Sequence, residues 1–127
     1  MTAFGTVFTD EMTISWNNGD GWSKPEFVPS DSLTLHPGAH VLHYSSTCFE
    51  GLKAFRHPDG SVKIFRLDQN IKRFAQSSVM LHLPALDTDL TQQMIIDAVA
   101  KFANQVPDAP GSLYIRPTHM GTDPAVG

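Results

Sequence analysis

The sequence predicts an α+β domain in which two main helices pack on a mostly antiparallel sheet. Strand-like alternation and hairpin turns crowd its first half, two helical periodicities follow, and one β-rich run returns around Tyr114. At 127 residues the chain has the length of one domain. A chain of that size buries roughly two thirds of its unfolded surface, enough for its own core.

Met12-Thr13-Ile14-Ser15-Trp16 alternates apolar and polar residues, the pattern of a half-buried strand. Asn17 to Gly21 reads as a turn, because Asn and Gly tolerate positive φ. Residues 22–29 are extended but interrupted by Pro25 and Pro29, which suits an edge or a loop. Leu33-Thr34-Leu35 predicts a brief strand, ended by His36-Pro37-Gly38. Cys48 to Phe55 predicts a strand with two distinct faces. Phe49, Gly51, Lys53 and Phe55 share one, and Cys48, Glu50, Leu52 and Ala54 share the other. His57-Pro58-Asp59-Gly60 is a turn that returns the chain along Val62 to Arg66 as a hairpin.

Asp68 is placed to cap a helix carrying Ile71, Phe74, Ala75, Ser78 and Leu81 at three- and four-residue steps, closed by Pro84. A second helix is predicted from Leu90 to Ala103, capped by Asp87 or Asp89, with Met94, Ile95, Ala98, Val99 and Phe102 as its apolar stripe. Residues 106–111 form a loop, 112–116 a final strand and 121–124 a turn.

Nine basic residues against thirteen acidic ones give a formal charge of −4, and the basic residues are scattered singly. No stripe exists to neutralise a nucleic-acid backbone, so no nucleic-acid partner is expected. Cys48 is the only cysteine. An intrachain disulfide and a cysteine-based metal site are both excluded, and a reducing compartment is implied. His36, His40 and His43 lie close together but lack the tidy spacing of a metal motif, so no metal is expected. The N-terminus has no basic start followed by an apolar run, and no apolar run approaches the ~20 residues of a membrane helix. The reading is a cytoplasmic protein that does not engage a membrane.

Few residues stand out chemically. Arg73, early in the first helix, has the guanidinium fork that grips a phosphate through two parallel hydrogen bonds; a solvated helix arginine is its commoner role. Tyr44, Phe49 and Tyr114 each offer a large apolar body, suited to walling a pocket for an aliphatic side chain or to filling the core. Arg116 shares a strand face with Tyr114 and suits either a substrate carboxylate or a structural ion pair. Gly51 is a bare strand position that lets a backbone or ligand approach. Cys48 is a nucleophile only in principle, since a free cysteine is usually an inert buried residue.

Four stretches add a resemblance. They are His43-Tyr44-Ser45-Ser46-Thr47-Cys48-Phe49-Glu50-Gly51-Leu52-Lys53-Ala54-Phe55-Arg56, Phe65-Arg66-Leu67-Asp68-Gln69-Asn70-Ile71-Lys72-Arg73-Phe74, Leu113-Tyr114-Ile115-Arg116-Pro117, and the opening Phe4 to Met12 with Trp22-Ser23-Lys24-Pro25. In this order they resemble the small N-terminal domain of branched-chain amino acid aminotransferases, the fold-type IV enzymes that use pyridoxal 5'-phosphate. The resemblance runs from Phe4 to Gly127 and makes residues 1–127 one N-terminal domain.

The resemblance implies transfer of the amino group of leucine, isoleucine or valine to 2-oxoglutarate, giving glutamate. It assigns Arg73 to the cofactor phosphate and Phe49, Tyr114, Arg116 and Phe4 to the substrate pocket. It sends Tyr44 to the pocket of a neighbouring subunit, which implies a homodimer, and puts Val126 on an interdomain loop. Lys53 could in principle form a Schiff base, but the family's Schiff-base lysine lies in a second domain past Gly127. No catalytic residue is therefore expected in this chain, and the fragment alone is expected to be inactive. Two rivals stand beside this reading: a free-standing binding or interaction domain with an exposed apolar face, and a fold-type IV enzyme acting on another amino acid.

Overall fold

The computed structural model describes residues 3–125, so Val126 lies outside the described residues. The chain divides into two compact units, Met1–Thr34 and Leu35–Gly127.

In the first unit, strand β1 (Glu11–Ile14) pairs antiparallel with β2 (Glu26–Pro29), with Met12 opposite Val28 and Ile14 opposite Glu26. The turn between them uses Gly19 and Gly21 at positive φ, and Asn17 Oδ1 accepts the Gly19 N–H at 2.9 Å. The segment with two prolines is thus a paired strand. A two-stranded ribbon has only edges, so Pro25 precedes the ladder and Pro29 ends it at little cost. Leu33-Thr34-Leu35, expected as a strand, forms none, because it is a short run between two turns with no neighbour to pair with.

The second unit starts with a five-residue helix, α1 (His40–Tyr44), stopped by Ser45 in the left-handed region at φ 54. Strand β3 (Thr47–Phe49) follows, then β4 (Leu52–Arg56) and β5 (Val62–Ile64). The long helices are α2 (Leu67–Met80) and α3 (Thr88–Lys101), each of 14 residues. Strands β6 (Leu113–Ile115) and β7 (Thr118–Met120) close the unit. All strand pairs are antiparallel: β3 with β7, and β5–β4–β6 as a three-stranded sheet. An α+β fold with two main helices and antiparallel sheets is what the sequence predicts.

The strand predicted over 48–55 is interrupted at Glu50-Gly51, with a physical cause on the facing strand. Phe49 pairs with Thr118 and Leu52 with Ile115, so one register runs through both sheets and sets Glu50 opposite Pro117. The Glu50 N–H donates to the Pro117 carbonyl at 3.1 Å. Proline has no N–H to return the second bond, so the ladder breaks there while the ribbon continues.

Alternation along this ribbon survives the break. Leu52 and Ala54 are buried, while Lys53 and Phe55 are exposed. The buried face packs on α2, where Leu52 joins Ile71 and Ile95 in a core ringed by Ile64, Leu67 and Ile115. Helix α2 does not begin at an Asp68 cap. Arg66 occupies the cap position in the left-handed region, and Asp68 lies in the first turn, where its charge still suits the helix N-terminus. Helix α3 has a true cap: Asp87 Oδ1 accepts the Leu90 N–H at 3.0 Å. Asp87→Ala is expected to cost about 0.5–2 kcal/mol of stability, read from the urea midpoint; no shift would mean that the cap is replaced by water without loss.

Candidate active site

The two faces of the β3/β4–β6/β7 ribbon hold different chemistry. On the outer face the register sets Lys53 beside Tyr114 and Thr118 beside Phe49, with Gly51 opposite Arg116 between them. Gly51 carries no side chain, and the aromatic groups fill that gap. The Tyr114 phenol leans over it so closely that a Cβ there would meet the ring at 3.2 Å. The Arg116 guanidinium carbon lies 4.2 Å from the centroid of Phe49 and 5.5 Å from that of Tyr114. Its Nε and Nη2 lie 3.4 and 3.3 Å from Tyr114 Oη. Three side chains singled out from sequence are thus neighbours: an aromatic floor, a phenol and a cation, exposed to solvent.

The inner face is a polar network against α2. Glu50 is buried, with a side chain 7% exposed, yet its partner Arg73 is 66% exposed. Arg73 Nε donates to Glu50 Oε2 at 2.8 Å and Nη2 to Oε1 at 2.5 Å, a side-on fork. Asn70, one turn earlier on the same helix face, adds Nδ2 to Oε1 at 3.1 Å. The Arg73 hydrogen bonds are the main reason the Glu50 carboxyl sits below its ordinary value of 4.5, against the opposing pull of burial. The same pair raises Arg73.

Further along this face, Ser78 Oγ lies 3.1 Å from the Phe74 carbonyl, 2.9 Å from His119 Nδ1 and 3.6 Å from Cys48 Sγ. One pattern satisfies all three: Ser78 donates to Phe74 and accepts from the imidazole N–H and the thiol. Burial lowers the His119 pKa. Cys48 belongs to this packing network.

Arg73 therefore does not stand among the aromatic wall residues. It reaches the same two-residue segment from the opposite side, through Glu50, while Tyr114 covers Gly51. Tyr44 is 52% exposed and packs instead on His40, with ring centroids 4.6 Å apart. Phe4 belongs to the first unit, where it is exposed at a turn. His36, His40 and His43 serve separate local bonds, to the Gly38 N–H, Ser46 Oγ and the Pro37 carbonyl. Among the described residues no group of three or more His, Cys, Asp or Glu is placed to hold a metal ion, and no helix is long and apolar enough to cross a membrane. Sequence reasoning passes over Glu50 and Asn70. The available signal is a lone acid on an otherwise apolar strand face, together with the three-residue step from Asn70 to Arg73.

No family model matches the chain. Named relatives do. The chain is 43% identical to the cytosolic branched-chain-amino-acid aminotransferase of Mus musculus, over 98% of its own length and 33% of that protein. It is 45% identical to the mitochondrial enzyme of that name from Schizosaccharomyces pombe, over 98% of the chain and 30% of that protein. Among solved structures, a bacterial branched-chain amino acid aminotransferase complexed with N-(5'-phosphopyridoxyl)-L-glutamate superposes with TM-score 0.65 at 30% identity, over 80% of this chain and 32% of that one. The branched-chain aminotransferase of Thermoproteus uzoniensis with norvaline gives TM-score 0.69 at 21% identity, over 92% of this chain and 35% of that one, a likeness of fold alone. The chain thus spans about a third of the length of the relatives it matches. It is a segment homologous to the branched-chain amino acid aminotransferases, related to them across nearly all of its own length.

Proposed function

We propose that the protein carrying this chain is a pyridoxal-phosphate-dependent transaminase that moves the amino group of leucine, isoleucine or valine to 2-oxoglutarate, working as a cytoplasmic homodimer. Residues 1–127 are its N-terminal domain in this reading. The observation that carries it is 43% identity to a named branched-chain enzyme over 98% of the chain. The phosphopyridoxyl-glutamate complex of a structural neighbour supports both the cofactor and glutamate as product.

The residues fit one side of a phosphate ester. Arg73 uses its Nε–Nη2 edge on Glu50, and its end-on edge, Nη1 with the second N–H of Nη2, remains for an anion. Phe49 and Tyr114 suit an aliphatic side chain, and Arg116 beside them suits the second carboxylate of glutamate or 2-oxoglutarate. The exposed Tyr44 is free to meet another subunit, and Phe4 is assigned to the pocket by resemblance. Pyridoxal 5'-phosphate, when bound, supplies the electron sink for amino transfer. This chain's part is to grip the phosphate, shape the pocket and orient the carboxylate, and we assign the covalent step to none of its residues. Turnover of leucine and of D-alanine with 2-oxoglutarate by the intact gene product tests the reading. Leucine is the expected substrate, and a preference for D-alanine overturns the branched-chain assignment.

A further inference from the structure

We infer that Glu50 is a positioning residue, a buried carboxylate that holds Arg73 side-on so that its end-on edge is presented to the phosphate. The inference rests on the phosphate role proposed for Arg73. A long arginine on an exposed helix surface samples many rotamers, and each one frozen on binding costs affinity. Here the freezing is done in advance. Glu50 takes both Nε and Nη2, so the guanidinium plane is fixed by two bonds. Glu50 is itself held on three sides: Asn70 Nδ2 on Oε1, its own N–H on the Pro117 carbonyl, and the buried ribbon face behind it.

An ordinary surface pair joins two exposed side chains and contributes little. In this pair one member is 7% exposed and the other 66%, so the acid is anchored in the fold while the cation is displayed. Glu50 lies between Phe49, on whose ring Arg116 rests, and Gly51, over which the Tyr114 phenol lies. The same short segment therefore sets the spacing between the phosphate grip and the substrate wall.

The test compares pyridoxal 5'-phosphate with pyridoxal, which lacks the phosphate, in equilibrium binding to the intact gene product. Glu50→Gln keeps size and one acceptor but removes the charged fork. It is expected to weaken pyridoxal 5'-phosphate by about tenfold and to leave pyridoxal unchanged. Added to Arg73→Ala, it is expected to cause no further loss, because the two act as one unit. Glu50→Asp keeps the charge and withdraws it by one methylene; it guards against misfolding of the first variant and is expected to reduce the phosphate preference as well. A wild-type preference in folded Glu50→Gln or Glu50→Asp protein, or losses that add to those of Arg73→Ala, overturns the positioning role. A wild-type preference in Arg73→Ala instead overturns the phosphate role of Arg73, and the inference with it.

Discussion

Phe74→Ala lowers the stability of the chain by about 3–5 kcal/mol, as measured by urea unfolding. Phe74 is 3% exposed on the inward face of α2, and its ring meets His119 of β7 edge-on, with centroids 6.4 Å apart. Truncation removes the apolar area buried there and leaves a cavity lined by elements that cannot all collapse into it. One side, β3 and β7, is fixed by its ladder, and the other is the helix backbone, whose Phe74 carbonyl accepts from Ser78. The loss is large against the 5–15 kcal/mol available to a typical domain. The midpoint is expected to fall with little change in slope. Val79→Ala, on the exposed side of the same helix, is expected to stay within about 0.5 kcal/mol. Equal effects at the two positions would mean that α2 does not pack on the ribbon through Phe74.

The elements legible in sequence are those specified locally. The His57–Gly60 turn and the stripes at Ile71, Phe74 and Ser78 and at Ile95 and Val99 each announce an element without reference to the rest of the chain. What escapes is either too short for a period or decided elsewhere. Helix α1 has five residues, β7 has three, and both fall below any periodic signal. The break at Glu50 is decided by Pro117, far along the chain, and Arg66 rather than Asp68 takes the cap position because α2 begins straight after the β5 hairpin. The candidate site divides along the same line. Phe49, Gly51, Tyr114 and Arg116 are visible as faces of separate strands, but only the cross-strand register shows Gly51 opposite Arg116. Arg73 is visible as an arginine on a helix. That a buried acid holds it from behind, on the opposite side of the ribbon from the aromatic wall, depends on how α2 docks, which no local pattern encodes.

Arg73→Ala in the intact gene product is expected to weaken pyridoxal 5'-phosphate by about ten- to a hundredfold, the loss that follows removal of hydrogen bonds to a charged group. Unchanged affinity removes Arg73 from the phosphate site. A second consequence does not depend on any ligand. In the wild-type chain Glu50 titrates below 4.5 because Arg73 bonds outweigh burial. Its folded value is thus depressed, so the pair's stabilisation is present above about 4.5 and lost as the pH falls through the lowered value. Without Arg73 the balance turns. Burial outweighs the remaining Asn70 bond, and the carboxyl is pushed above its ordinary value. Stability is then fullest below about 4.5 and declines as the pH rises through the raised value, so the slope of stability against pH changes sign in the mildly acidic range. Urea midpoints of both proteins from about pH 4 to 7 would read this directly. Parallel curves would mean that water replaces Arg73 at no cost and that Glu50 is not a buried anchor. A reversal with unchanged cofactor affinity would leave the pair structural and move the phosphate grip elsewhere in the protein.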